Sequence, residues 1–177
     1  MLLARNPRPP FESWPVHLAD ERFGFAWYCG AGVIVTQATL THGTQEAAHA
    51  YHDFADRVLV DHAEEVTRAG GLYVIHDLRI LQTYDQAARR AWTERMKRRR
   101  NGYLRGSTVV VQEANSLLKM AVSGINLMAA LSLGSTIELT TDLPATLRQH
   151  EVQPPRRHSS LVPRNTRSIP PSSKRKL

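Results

Sequence analysis

The segment between residues 71 and 142 constrains the fold more than any other part of this 177-residue chain. Residues 72–75 form a continuous apolar run, which is typical of a strand buried on both faces, and Asp77 follows at its carboxyl end. Residues 108–111 and 136–140 are further strand candidates, and helical patterns separate the three runs. Strands separated by helices of this length favour right-handed crossovers within one sheet. The segment therefore predicts an α/β fold.

A hairpin and a long helix are predicted before this segment. Residues 23–29 and 33–40 are rich in aromatic and β-branched side chains, and a Gly-Ala-Gly turn separates them, as in a β-hairpin. Thr44 is placed to cap a helix that runs to about Ala69, because its apolar residues recur at spacings of three and four. The glycines at 70 and 71 end this helix.

Two more helix starts complete the predicted domain. Thr83 is followed by Gln86 three positions later, which is a capping-box pattern for a helix to about Arg100. Asp142 or Leu143 precedes the fixed φ of Pro144, which predicts a last short helix to about His150. We therefore expect a mixed sheet of four to five strands with crossover helices over residues 23–150, preceded by a segment, 1–22, that is irregular or contains a short strand.

The net charge of +7 belongs almost wholly to the last residues. Residues 151–177 contain seven Lys or Arg and one acid, so +6 lies there, together with five prolines and few apolar residues. Such a composition predicts a disordered basic tail. The tail either keeps the protein in solution without a specific partner or makes weak contacts with anionic lipid or nucleic acid. The single cysteine, Cys29, and the absence of a signal-peptide pattern at the start predict a cytoplasmic protein, which the tail could bring to a membrane surface.

The helix after Thr83 carries the densest charge of the domain. We predict a basic surface on it, formed by Arg89, Arg90, Lys97, Arg98, Arg99 and Arg100. One interpretation is a solvated face whose last cations suit a helix C-terminus. The other is a contact surface for lipid, a nucleotide, nucleic acid or an acidic protein.

Residues 117–133 form a helical segment that is apolar nearly all round. The contact candidates are Leu117, Met120, Leu127, Met128 and Leu131. They are either buried within the domain or presented to a second copy, another protein or a lipid. The segment is at the short limit for a bilayer span and is interrupted by polar residues, so we do not expect it to cross a membrane.

Catalytic and metal sites are weakly indicated. His49 and His52 have helical spacing, but no further ligand completes a motif, so ordinary surface histidines are favoured over a metal site. His76 with Asp77 is the remaining candidate for acid–base chemistry. No serine or cysteine has the context of an activated nucleophile. We therefore expect no enzyme activity, no cofactor and no metal.

The order of elements and three segments, 72–79, 83–92 and 120–127, resemble the STAS domain, specifically its SpoIIAA-like branch, which is related to CRAL-TRIO lipid-transfer domains. The resemblance covers about residues 23–148. It implies a regulatory module that binds a protein partner through the loop and helix start after the central strand. The corresponding residues here are Asp77, Arg79, Thr83, Tyr84 and Asp85.

The chain departs from the family pattern at the helix start. STAS anti-sigma factor antagonists carry a phosphorylated serine in an Asp-Ser-Ser-Gly motif, whereas Gln86, Ala87 and Ala88 follow Asp85 here. Serine phospho-switching is therefore not expected, although Thr83 and Tyr84 supply hydroxyls nearby. The alternative that the resemblance implies is a carrier of lipid or another small molecule.

Overall fold

A computed structural model describes residues 18–98, 103–112 and 137–152, and the structural statements below concern these residues. Eight strands are present among them: β1 Leu18–Asp20, β2 Gly24–Tyr28, β3 Val33–Ala38, β4 His42–Gly43, β5 Leu72–Asp77, β6 Thr83–Tyr84, β7 Leu104–Val110 and β8 Ile137–Thr140. The helices are α1 Gln45–Asp61, α2 Ala63–Arg68, α3 Gln86–Arg98 and α4 Leu143–Gln149.

Six strands form one mixed sheet in the order β1-β2-β3-β5-β7-β8. The β1–β2 and β2–β3 pairs are antiparallel, whereas β3–β5, β5–β7 and β7–β8 are parallel. The predicted α/β class and the hairpin are confirmed. The predicted strand count of four to five is wrong, because Leu18–Asp20 of the entry segment forms a short edge strand that pairs with β2. A strand of three residues is too short to show an alternating pattern in the sequence.

The long helix after the hairpin is divided. The Thr44 hydroxyl accepts a hydrogen bond from the Ala47 N–H at 3.2 Å, which confirms the predicted cap of α1. The helix does not run on to Ala69, because His62 leaves the helical backbone conformation (φ −124°, ψ 29°) and α2 begins after it. Glu65 of α2 accepts a hydrogen bond from the Ala31 N–H at 2.7 Å, which ties α2 to the hairpin turn.

Both faces of the sheet are covered. Alternate side chains of a strand point to opposite faces, so Ile34 and Val74 pack towards α1, whereas Val35 and Ile75 pack towards α4. Burial on both faces explains why residues 72–75 form a continuous apolar run in the sequence. The short helix α4 lies where it was predicted, and Asp142 caps it by accepting a hydrogen bond from the Ala145 N–H at 2.8 Å.

Three predictions fall on other parts of the chain. Leu117, Met120, Leu127, Met128 and Leu131, as well as the tail from residue 153 onwards, lie outside the described residues. The same holds for residues 1–17 of the N-terminal segment. Within the described part of the chain, none of the helices has the length and apolarity needed to cross a bilayer.

Candidate functional site

The residues singled out by the sequence lie at the carboxyl edge of the parallel strands. Asp77 is the last residue of β5 and lies in register with Gln37 of β3 and Val110 of β7. The chain then runs along this edge to the start of α3, and we call residues 77–85 the rim loop. Ligands and partners of open α/β sheets commonly bind outside the carboxyl ends of the strands.

An internal ion pair fixes the start of the rim loop. Asp77 is only 3% exposed, and its carboxylate accepts hydrogen bonds from Arg79 Nε at 2.7 Å and Nη2 at 2.8 Å. The hydrogen bond from the guanidinium to this carboxylate raises the pKa of Arg79. A bidentate ion pair of this kind is stronger and more directional than a single hydrogen bond. Asp77 and Arg79 therefore bind each other and stabilise the start of the loop.

A two-stranded parallel sheet fixes the rest of the loop, because β6 pairs with β4. The Gln82 N–H donates to the Thr41 carbonyl at 2.8 Å, and the Asp85 N–H donates to the Gly43 carbonyl at 3.2 Å. The Tyr84 ring lies so close to Gly43 that a Cβ there would come within 2.6 Å of it. Burial raises the pKa of Tyr84. The absence of a side chain at Gly43 thus leaves room for the Tyr84 ring, which packs there and holds the loop in place.

The helix cap differs from the prediction. Asp85, not Thr83, caps α3, because its carboxylate accepts a hydrogen bond from the Ala88 N–H. Thr83 lies in β6, and its hydroxyl hydrogen-bonds to Nδ1 of His42 at 2.6 Å. The prediction of Thr83 as the cap is therefore wrong. Aspartate caps a helix as well as threonine does, and because Thr83 pairs with β4, Asp85 is the residue that stands at the helix start.

Exposed polar side chains remain on the outer side of this edge. Gln82 and Thr83 are exposed in the rim loop, and Arg89 and Arg90 are exposed on the first turns of α3. Neither of these two arginines forms an ion pair with any described residue. Of the other predicted basic residues, Lys97 and Arg98 belong to α3, but their side chains lie outside the described part of the structure. Arg99 and Arg100 lie outside it altogether.

The inner side of α3 is bound to α1. Arg95 forms ion pairs with Asp53 and Asp56, the second at 3.5 Å. Beside it, the ring of Trp92 stacks on Tyr51 with a centroid distance of 4.6 Å. These contacts set the orientation of α3 and leave its opposite side free to face solvent.

His76 and Asp77 do not form an acid–base pair. His76 packs against Tyr51 and Trp92, and its Nδ1 hydrogen-bonds to the Thr36 hydroxyl at 2.9 Å. Burial there lowers the pKa of His76 to about 4. Because neighbouring residues of a strand point to opposite faces, Asp77 lies on the other side of the sheet.

The histidines of α1 also differ from expectation. His52 is only 1% exposed and lies edge-on to Trp92 at 4.6 Å, so the prediction of a surface histidine is wrong at this position. The sequence carried a signal for its burial, since His52 follows the buried residue Ala48 at a spacing of four. His49 is half-buried and contacts Gln45 at 3.3 Å. Among residues 18–98, 103–112 and 137–152, no three His, Cys, Asp or Glu side chains come together as a metal site.

A groove lies at the edge of the sheet opposite the rim loop. It is an open groove of about 400 Å³ between α2 and the start of β7. Its lining residues are Leu59, Ala63, Val66, Thr67, Gly70, Gly71 and Tyr103. The groove is thus separate from the rim loop.

No family model, no curated protein and no solved structure matches this chain. The resemblance to STAS domains therefore remains a prediction that rests on the sequence segments given above.

Proposed function

We propose that this chain is a non-catalytic regulatory or scaffolding module, with a STAS-like domain, that binds a protein partner through the rim loop and the start of α3. The proposal includes action in the cytoplasm without serine phospho-switching. The same function was predicted from the sequence, but the structure assigns different roles to the residues of the loop. Asp77, Arg79, Tyr84 and Asp85 hold the surface, whereas Gln82, Thr83, Arg89 and Arg90 present it.

The observation that carries the proposal is the combination of a fixed backbone with exposed side chains in the rim loop. The Asp77–Arg79 pair, the β4–β6 pairing and the Asp85 cap fix successive parts of the loop. Binding to a prearranged surface costs less conformational entropy than binding to a loop that must first become ordered. A rigid loop with exposed Gln82 and Thr83 is therefore well suited to recognising a partner.

The state of the candidate acid–base residues favours binding over catalysis. A general base needs a pKa near the working pH and access to its substrate. His76 has a pKa lowered to about 4 and is enclosed by aromatic rings, whereas the Asp77 carboxylate is occupied by Arg79. Both side chains thus serve the fold.

The hydroxyl-bearing residues near the helix start also contribute to the fold. Tyr84 packs its ring against Gly43, and the Thr83 hydroxyl is hydrogen-bonded to His42. Gln86, Ala87 and Ala88 supply no hydroxyl. These observations support a module that recognises its partner by shape and charge.

A bulky substitution at Gln82 tests the proposal. Gln82 is exposed, and only its backbone is used beside the β4–β6 pairing, so Gln82→Trp blocks the surface without removing a side-chain hydrogen bond to a described residue. Glu64→Trp on the exposed side of α2 is the matched control. In affinity purification of the full chain from its native cells, we expect a partner to be retained by the wild type and the control and lost by Gln82→Trp. A partner retained equally by all three proteins would contradict the proposal.

The groove at the opposite edge is the described feature that bears on the carrier alternative. Its volume of about 400 Å³ is within the usual range for small-molecule sites, but it is open rather than enclosed. Native mass spectrometry of the purified chain distinguishes the two functions. A bound lipid or metabolite that is lost in Thr67→Trp, which fills the groove, would favour the carrier.

A further inference from the structure

We propose that Arg89 and Arg90 are the specificity-determining residues of this surface, and that they recognise an acidic segment of the partner protein with carboxylates spaced along an extended stretch. This inference rests on the proposed function and names the chemical class of the partner. We call the two residues the outer arginines.

Three other arginines of the described structure bind carboxylates of the chain, in contrast to the outer arginines. Arg22 is bound by Asp20, Arg79 by Asp77, and Arg95 by two aspartates of α1. Arg95 thereby joins α3 to α1, whereas Arg22 and Arg79 each bind a carboxylate two residues away in the chain.

The outer arginines have no such role within the described structure. Glu94 lies one turn after Arg90, at a spacing that permits a pair, yet no ion pair joins the two side chains. Arg89 and Arg90 therefore keep their hydrogen-bond donors available to a partner.

Helix stability does not explain cations at this position. The N-terminus of a helix carries a partial positive charge, so Arg or Lys in its first turns is slightly unfavourable. Between the Asp85 cap and the outer arginines, the residues Gln86, Ala87 and Ala88 are uncharged. An anionic partner would be attracted both by the guanidinium groups and by this end of the helix.

The geometry favours carboxylates on a protein over a single phosphate. Consecutive residues of an α-helix point about 100° apart, so Arg89 and Arg90 reach out in different directions and suit two separate anionic groups. Binding of single-stranded nucleic acid would need exposed rings for base stacking, but Tyr84 packs against Gly43 and Trp92 stacks on Tyr51. An anionic membrane attracts larger clusters of basic residues than this pair.

The test uses the full-length, isotopically labelled chain and a short peptide of alternating glutamate and serine. We expect the peptide to shift the backbone amide NMR signals of residues 82–94 and the shifts to shrink at higher ionic strength. Arg89→Ala/Arg90→Ala should weaken binding at these signals by about three- to tenfold, in line with two exposed ion pairs.

The matched control is Arg57→Ala/Arg148→Ala. It removes the same charge from two exposed arginines, one on α1 and one on α4, that form no ion pair with a described residue. This variant should bind the peptide at residues 82–94 like the wild type. Equal weakening in both variants, or shifts confined to the tail from residue 153 onwards, would overturn the proposal.

Three other probes test the choice of partner class. Inorganic phosphate, oligothymidylate and anionic lipid vesicles should each perturb residues 82–94 less than the peptide does at matched charge. A stronger effect of any one of them would overturn the assignment of an acidic protein segment.

The inference and the proposed function can fail separately. A partner that is lost by Gln82→Trp but retained by Arg89→Ala/Arg90→Ala would contradict the inference and leave the proposed function intact. A partner that is unaffected by Gln82→Trp would contradict the proposed function itself.

Discussion

Arginine side chains serve opposite purposes in two pairs of charged residues near the rim loop. The inner pair, Asp77 with Arg79, is largely buried, and its charges satisfy each other through two short hydrogen bonds. The outer arginines, Arg89 and Arg90, are exposed and make no ion pair with a described residue. The comparison teaches that a charged residue near a candidate site supports the fold when its partner lies within the chain and is available for recognition when it does not.

The strongest test of this comparison is to remove one member of the inner pair, because this change should have the largest effect on stability. Asp77→Ala leaves the Arg79 guanidinium in a site where it is only 23% exposed and has lost its carboxylate. Breaking a buried pair in this way should lower the free energy of unfolding by about 3 kcal/mol. Urea denaturation followed by circular dichroism measures this change.

The double variant Asp77→Ala/Arg79→Ala is the control for this prediction. It removes both charges, so it should be more stable than Asp77→Ala alone. A loss below about 1 kcal/mol in Asp77→Ala would place the inner pair among ordinary surface pairs and remove the contrast with the outer arginines.

The acid sensitivity of His76 extends the comparison to a partly buried group that binds a proton less readily in the folded chain. The ring takes up a proton at about pH 6.5 in the unfolded chain but only at about pH 4 in the folded chain. The unfolded state therefore binds more protons between these values, and stability falls as the pH is lowered through this window.

The protonation of His76 alone should lower the free energy of unfolding by about 2 kcal/mol between pH 7 and pH 5. His76→Gln is the control, because it retains a hydrogen-bonding side chain beside Thr36 and cannot titrate. Unfolding free energies of both proteins should be measured across this range. Parallel curves would show that His76 does not contribute to the pH dependence.

The two regions also show what could be predicted from the sequence. Local patterns predict the strand at 72–75 with Asp77 at its end, the Thr44 cap of α1 and the last short helix, and the structure confirms them. The partner of Asp77 was not predicted, although Arg79 is only two residues away. The pairing depends on the backbone path after β5, which sequence periodicity does not describe.

Burial of polar residues was the harder part to predict. His52 was interpreted as a surface residue because histidine is usually exposed or only partly buried, yet the rings of Tyr51 and Trp92 lie against it. Trp92 belongs to α3, a separate helix, so this contact follows from tertiary packing.

The start of α3 provides a prediction of intermediate size. The structure assigns the cap to Asp85, whereas the sequence pattern indicated Thr83. Asp85→Ala should therefore lower the free energy of unfolding by about 1 kcal/mol. Thr83→Ala should cost less, because its hydrogen bond to His42 is exposed to solvent. The reverse order in thermal denaturation would restore Thr83 as the cap and change the geometry on which the outer arginines depend.

The smallest expected effect belongs to the outer arginines. Arg89→Ala/Arg90→Ala removes two exposed side chains with no carboxylate partner in the described structure, so the free energy of unfolding should change by less than about 0.5 kcal/mol. The change should be neutral or slightly stabilising, because the variant removes cations from the positive end of α3 and adds a better helix former. Urea denaturation of this variant and of Arg57→Ala/Arg148→Ala measures the effect. A loss comparable to that of Asp77→Ala would mean that the outer arginines hold the fold together, and the distinction between the two pairs would disappear.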